Sequence, residues 1–265
     1  MENKANNKYS NQMWDEFYSG ERKIHIQPKT WLFASYDLYQ CDEILKQYLP
    51  QNGKDWKKLT ICEIGSGDGK LLKKISKMFG YEPTGLEYSQ EWVNQWLAND
   101  VNTVLCDAFD DEQMSKYENH FDIVYSYGFI EHILPPEKAI KQHLKILKKW
   151  GILILQIPRL KGFNYLKFKL FRPDLIPLHN IDLMEQEILS EESARFPELE
   201  EIVCKNYGTF KIRLPINSRG FKYYLLNILS LPEYILNPVF RIIFCKKWFE
   251  TRLFSPSIIY IGRKK

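Results

Sequence analysis

Short apolar runs alternate with amphipathic stretches through most of the chain. Residues 59–64, Leu-Thr-Ile-Cys-Glu-Ile, are apolar and β-branched enough for a buried strand, and they run into Gly65, Gly67 and Gly69. Directly afterwards Leu71, Leu72, Ile75, Met78 and Phe79 fall on one helical face and Lys70, Lys73, Lys74 and Lys77 on the other. The same change of period recurs downstream. Residues 81–87 predict a second strand, Ser89 opens a helix carrying Trp92, Val93, Trp96 and Leu97, and residues 101–106 predict a third strand. Residues 121–125 read as a fourth. A helix from Pro136 to Lys149 and a fifth strand over 152–157, set off by Trp150-Gly151 and Pro158, complete the regular part. Upstream, residues 31–49 predict a helix that Pro50 and Gln51-Asn-Gly53 end. Alternating strands and helices of this kind belong to an α/β fold with a parallel sheet.

The carboxyl third is less regular, with strands expected over 199–205 and 257–261 and a helix through about Ala194. Two stretches resist a sheet reading. Residues 159–172 mix Phe163, Tyr165, Phe168 and Phe171 with lysines, and residues 211–250 are strongly apolar with more bases than acids. So apolar a segment must bury its surface somewhere: as a cap over a pocket, as an oligomer interface, or against a membrane surface.

The 265 residues suit one large domain with insertions, and a net charge of +4 is too small to infer a nucleic-acid partner. Five cysteines are scattered without a pairing or metal spacing, which suits a reducing compartment. Residues 1–10 lack the apolar core of a signal peptide, and no apolar run reaches membrane-spanning length. A cytoplasmic protein is expected.

The glycine turn is where an open α/β sheet receives a nucleotide-like ligand. Its acids help choose which one. Glu63 and Asp68 flank the turn, and a dinucleotide would bring a pyrophosphate there, at a cost of roughly 3 kcal/mol for each like-charge pair about 5 Å apart. S-adenosylmethionine brings an ammonium and a sulfonium instead, which carboxylates suit. Glu87, at the end of the second predicted strand, is placed to accept bonds from ribose hydroxyls.

With Glu63-Ile-Gly-Ser-Gly-Asp-Gly69, the chain resembles class I S-adenosylmethionine-dependent methyltransferases, in their small-molecule, type 11/12-like branch. The resemblance implies a Rossmann-like seven-stranded sheet in the order 3-2-1-4-5-7-6, with strand seven antiparallel and helices on both faces. It implies S-adenosyl-L-methionine as cofactor, with Glu63, Gly65, Ser66, Gly67, Asp68, Glu87, Tyr88, Asp107, Ala108 and Ser126 as cofactor-binding candidates. Asp107 would bond the adenine amino group; a turn-capping role is its alternative. Glu131-His132 resembles a pair common in these small-molecule enzymes, and Ser126 to Gly128 would line the transfer site.

If the acceptor is a hydroxyl, a base must take its proton, and histidine is the ordinary choice. His132 is the first candidate and His179, in the carboxyl lid segment, the second. Tyr18, Tyr127 and Phe129 are substrate-contact candidates. A metal would want clustered acids at the pocket. Asp107, Asp110 and Asp111 are available, but Asp110 and Asp111 are adequately explained as helix-start acids, so no metal is expected. The resemblance, taken with these histidines, implies an O-methyltransferase (EC 2.1.1.-) acting on a small molecule, sugar-linked acceptors included by analogy of fold. Residues 1–50 would form a helical lid and 51–265 the catalytic domain, with the stretches 159–180 and 211–250 as an acceptor cap. The competing readings are a lipid or quinone acceptor at a membrane surface, and a non-catalytic module of the same fold. No nucleic-acid partner is expected, peripheral membrane contact is allowed for, and the protein is a monomer or homodimer.

Overall fold

Every strand that crosses the sheet centre is apolar on both sides, and the two sides feed two separate cores. The structure, a computed structural model, describes residues 36–52, 58–96, 102–208, 211–212, 214, 220–244 and 251–265. Its strands are β1 (Thr60–Ile64), β2 (Glu82–Glu87), β3 (Asn102–Leu105), β4 (Phe121–Tyr127), β5 (Leu147–Pro158), β6 (Leu199–Tyr207) and β7 (Ser257–Lys264). They form one sheet in the order β3-β2-β1-β4-β5-β7-β6. The first five pair in parallel, while β7 runs antiparallel to both β5 and β6. The order and the reversed strand are those expected from the sequence.

Period-two alternation sorts the side chains. Cys62, Val124, Leu153, Leu155, Ile258 and Tyr260 join one buried cluster, packed with Ile140 and Leu144 of helix α5 (Pro136–Ile146) and Leu189 of α7 (Gln186–Ala194). Their strand neighbours Ile61, Ile123, Tyr125, Ile152, Ile154, Ile259 and Ile261 join the other. That second cluster includes Ile44 and Leu45 of α1 (Tyr36–Tyr48) and Leu72, Ile75 and Phe79 of α2 (Lys70–Phe79). A sheet covered on both faces explains why its strands read as continuous apolar runs.

The remaining helices are α3 (Gln90–Trp96), α4 (Asp111–Ser115), α6 (Gly162–Phe171), α8 (Phe221–Leu229) and α9 (Glu233–Phe244), with 3-10 turns at Ile130–His132, Pro173–Leu178 and Asp182–Met184. Trp92 is buried, as its helical spacing predicts. The predicted segments at Met13 to Tyr18 and at Leu97 lie outside the described residues.

One boundary differs from expectation. Helix α5 ends at Ile146 rather than at Lys149, and Leu147 turns to extended geometry and pairs with Phe121 of β4. Leu147 is fully buried, so sheet pairing outweighs helix continuation there. The chain then makes a positive φ of 66° at Trp150 before regaining register. Gly151 is required at that point: a Cβ would lie 2.6 Å from Leu147 Cδ1 and 2.9 Å from the Asp122 carbonyl oxygen. Asp122 is structural, as its place at the start of β4 suggests. Its carboxylate accepts from the Thr60 amide (2.9 Å) and hydroxyl (2.8 Å) and from Lys148 Nζ (2.9 Å), tying β1, β4 and β5 together.

Candidate active site

The carboxyl ends of β1, β2 and β4 meet at the glycine turn. Gly65, Gly67 and Gly69 hold positive φ values of 68°, 51° and 46°, which side-chain-bearing residues adopt only at a cost of about 1–2 kcal/mol. Gly65 also has no room for a Cβ, which would sit 2.9 Å from the Phe129 ring. Gly67 is the opposite case. Among the described residues nothing lies within 4 Å of where its Cβ would be.

Three carboxylates surround this turn. Glu63 is 3% exposed, and its Oε2 has no hydrogen-bond partner. Burial first, and then the neighbouring Asp68 and Glu87 charges, push the Glu63 carboxyl well above the usual carboxylate range. Glu87 is drawn inward, accepting from the Gly67 amide at 2.7 Å and the Ser89 amide at 2.9 Å. Asp68 pairs with Lys70 at 2.5 Å. Beside them Ser66 is buried and its Oγ also lacks a partner. An acid-rich, under-satisfied cradle repels phosphates and suits a ligand that carries positive charge.

The other cofactor candidates are distributed as follows. Tyr88 is exposed beyond β2. Asp107 folds back on its own turn, its Oδ1 accepting from the Phe109 amide at 2.9 Å while Gln113 Oε1 holds its backbone amide at 3.1 Å. Ala108 is buried beside it. Ser126 is 1% exposed, within β4, so its side chain belongs to the sheet interior. Tyr127 is exposed at the strand end, and Phe129 stacks on Phe109 with centroids 6.1 Å apart. Tyr18 lies outside the described residues.

Phe129 is the hinge between this cradle and a second cluster. One residue beyond it, the 3-10 turn Ile130–His132 carries Glu131, which is fully buried with both carboxylate oxygens lacking hydrogen-bond partners. His132 Nε2 lies 3.7 Å from Glu131 Oε1. His179 arrives from the turn after α6, and its ring centroid is 4.6 Å from that of His132. The Asn180 amide, donating to the Glu131 carbonyl at 2.7 Å, fixes one segment to the other. Burial raises the Glu131 carboxyl to about 8. Burial first, then His179, lowers His132 to about 3, so its imidazole is neutral through the physiological range. The two histidines singled out from the sequence therefore come together, and Glu131 joins them. Its signal was its place directly before His132, just past the end of β4.

A family profile described as a methyltransferase domain matches residues 33–192, more than half of the chain. The fold agrees with solved structures. One is a SAM-dependent methyltransferase from Archaeoglobus fulgidus, with a TM-score of 0.55, 17% identity, and coverage of 87% of this chain and 95% of that one. Another is the geranyl diphosphate C-methyltransferase from Streptomyces coelicolor A3(2), in complex with Mg2+, geranyl diphosphate and S-adenosyl-L-homocysteine. Its TM-score is 0.53 at 12% identity, with 86% of this chain and 77% of that one covered. A tRNA U34 carboxymethyltransferase from Sulfurovum sp. (strain NBC37-1) is 28% identical over 114 residues, a match spanning 41% of this chain and 37% of that protein. Sheet, glycine turn and profile define one class: the class I S-adenosylmethionine-dependent methyltransferases. The chain belongs to the methyltransferase-domain family and is an enzyme of that class.

Proposed function

We propose that the chain transfers a methyl group from S-adenosylmethionine to a hydroxyl of a small organic acceptor, sugar-linked acceptors among them. The observation that carries this reading is the pairing of two clusters across Phe129: the acidic cradle of Glu63, Asp68 and Glu87, and the Glu131–His132–His179 group. S-adenosylmethionine, when bound, supplies an electrophilic methyl group on a sulfonium. Glu63 would face its cationic methionine end, the Gly67 backbone would let it approach closely, and Glu87 would meet its ribose. His132 and His179 would hold and orient the acceptor oxygen and receive its proton. Positioning of this kind is the main demand of an in-line methyl transfer. Residues 1–50, 159–180 and 211–250 would close over the acceptor.

A second reading keeps the same donor and changes the acceptor to a lipid or quinone. It is favoured by the apolar surface of α8 and α9, where Phe221, Ile228, Ile235 and Ile242 are exposed. No described helix is long and apolar enough to cross a membrane. One screen separates the readings. S-adenosylhomocysteine release is followed with sugars, phenols, quinones, lipids and tRNA as acceptors. Turnover on soluble hydroxyl compounds is the expected result. Turnover confined to quinones or lipids would select the second reading, and turnover confined to tRNA would overturn both.

A further inference from the structure

Glu131 poses a problem that the proposed base chemistry leaves open. Its carboxylate is fully buried, yet among the described residues neither oxygen meets a hydrogen-bond donor in good geometry. A native structure tolerates such a group where something else satisfies it. The two histidines beside it show what that would be. His132 Nδ1 lies 2.7 Å from the Leu178 carbonyl oxygen, and His179 Nδ1 lies 2.6 Å from that of Leu175. A carbonyl only accepts, so both Nδ1 atoms carry their protons, and each ring presents Nε2 as its lone-pair nitrogen. Histidines that ligate metals are held in the same way, with the second nitrogen donating to a carbonyl.

We propose that Glu131, His132 and His179 form a binding site for one divalent transition-metal cation. Their ligand atoms all lie within 4.8 Å of one another. Bonds of about 2.0–2.2 Å to each would need the widest of those separations to close by about 1.4 Å. Two imidazoles and one carboxylate suit zinc, manganese, iron(II) or cobalt better than magnesium, which prefers oxygen ligands. Three protein ligands leave coordination positions open, as catalytic rather than structural sites do. The Asn180 amide bond to the Glu131 carbonyl fixes the third ligand's segment against the first two. No other group of three such side chains able to hold a cation occurs among the described residues.

This inference rests on the methyltransferase reading only for the role of the cation, which would hold the acceptor oxygen and ease loss of its proton. It replaces the sequence-based expectation of a metal-free site. With the cation bound, His132 and His179 would act as its ligands rather than as proton acceptors, the proton of the cation-held acceptor oxygen passing to solvent. Binding itself is testable without an acceptor. The full chain, stripped with chelator and dialysed, is titrated with Co2+ while the visible absorption is followed, and Zn2+ uptake is measured by elemental analysis. One equivalent of either metal, with the intense visible bands of a low-coordinate cobalt centre, is expected. His179→Ala and Glu131→Gln should each weaken uptake by at least about tenfold, while His120→Ala, remote from the cluster, should leave it unchanged. Zn2+ should also raise the melting temperature of the wild type but not of His179→Ala. Substoichiometric uptake by the wild type, or uptake unchanged in both ligand variants, would overturn the proposal. S-adenosylhomocysteine binding measured in chelator keeps the two claims apart. If that binding persists without metal uptake, only the metal site fails; if it is absent while Co2+ binds, only the donor reading fails.

Discussion

Replacing Glu63 by Gln is expected to weaken S-adenosylmethionine binding by about 10- to 100-fold while leaving the fold at least as stable as the wild type. The affinity loss follows from removing one charged hydrogen-bond partner in a desolvated setting, worth about 1.5–3 kcal/mol. The stability expectation follows from the opposite side of the same physics. Burial and the Asp68 and Glu87 charges hold the Glu63 carboxyl well above its usual range. A carboxyl whose folded-state pKa is raised stabilises the fold least when ionised. Its effect turns unfavourable as pH rises from the unfolded value of about 4.5 toward the folded one. Gln carries no such penalty at pH 7. Titration calorimetry with S-adenosylmethionine and thermal melts on one preparation read both effects. Equal affinity in the variant would remove Glu63 from the cofactor site, and a large drop in melting temperature would make it structural.

His132→Ala should lower turnover by about 10²-fold or more, the contribution of a positioned group that handles a proton, with S-adenosylhomocysteine affinity close to wild type. His132 lies past Phe129 from the cradle, so the variant leaves Glu63, Gly67 and Glu87 untouched. It also removes the Nδ1 bond to Leu178, so the circular dichroism spectrum is the control for the turn at Pro173–Leu178. The loss should fall mainly on kcat. A variant with unchanged turnover on an acceptor found by the screen would exclude His132 from the chemistry as either base or ligand.

What was legible in the sequence was what local pattern encodes. The Glu63–Gly69 turn, Glu87 at the end of β2, and the alternating core residues of β4 and β5 all sit within one element or its immediate continuation. Their placement followed from period and from glycine. The convergence at Glu131 was only half legible. His132 follows directly from β4, whereas His179 reaches it through α6 and a 3-10 turn, a path set by tertiary packing that no spacing encodes. The partnerless carboxylate of Glu131 is likewise visible only in three dimensions, because burial is what makes it anomalous. The early end of α5 has the same origin: the pairing of Leu147 with Phe121 is a non-local contact. Phe129, expected to face the substrate, also fills the space that Gly65 leaves open, and a glycine alone does not say which side chain takes its missing volume.

The central claim is that the acidic cradle at Gly67 receives the cationic methionine end of the methyl donor. Its most direct test is calorimetric titration with S-adenosylhomocysteine, which keeps the ammonium, repeated in buffers of differing ionisation enthalpy. Binding of one equivalent is predicted, with any linked proton released rather than taken up, because the ligand's ammonium favours the ionised form of the Glu63 carboxyl, and affinity should weaken as pH falls. Absence of any binding heat at millimolar ligand would contradict the account.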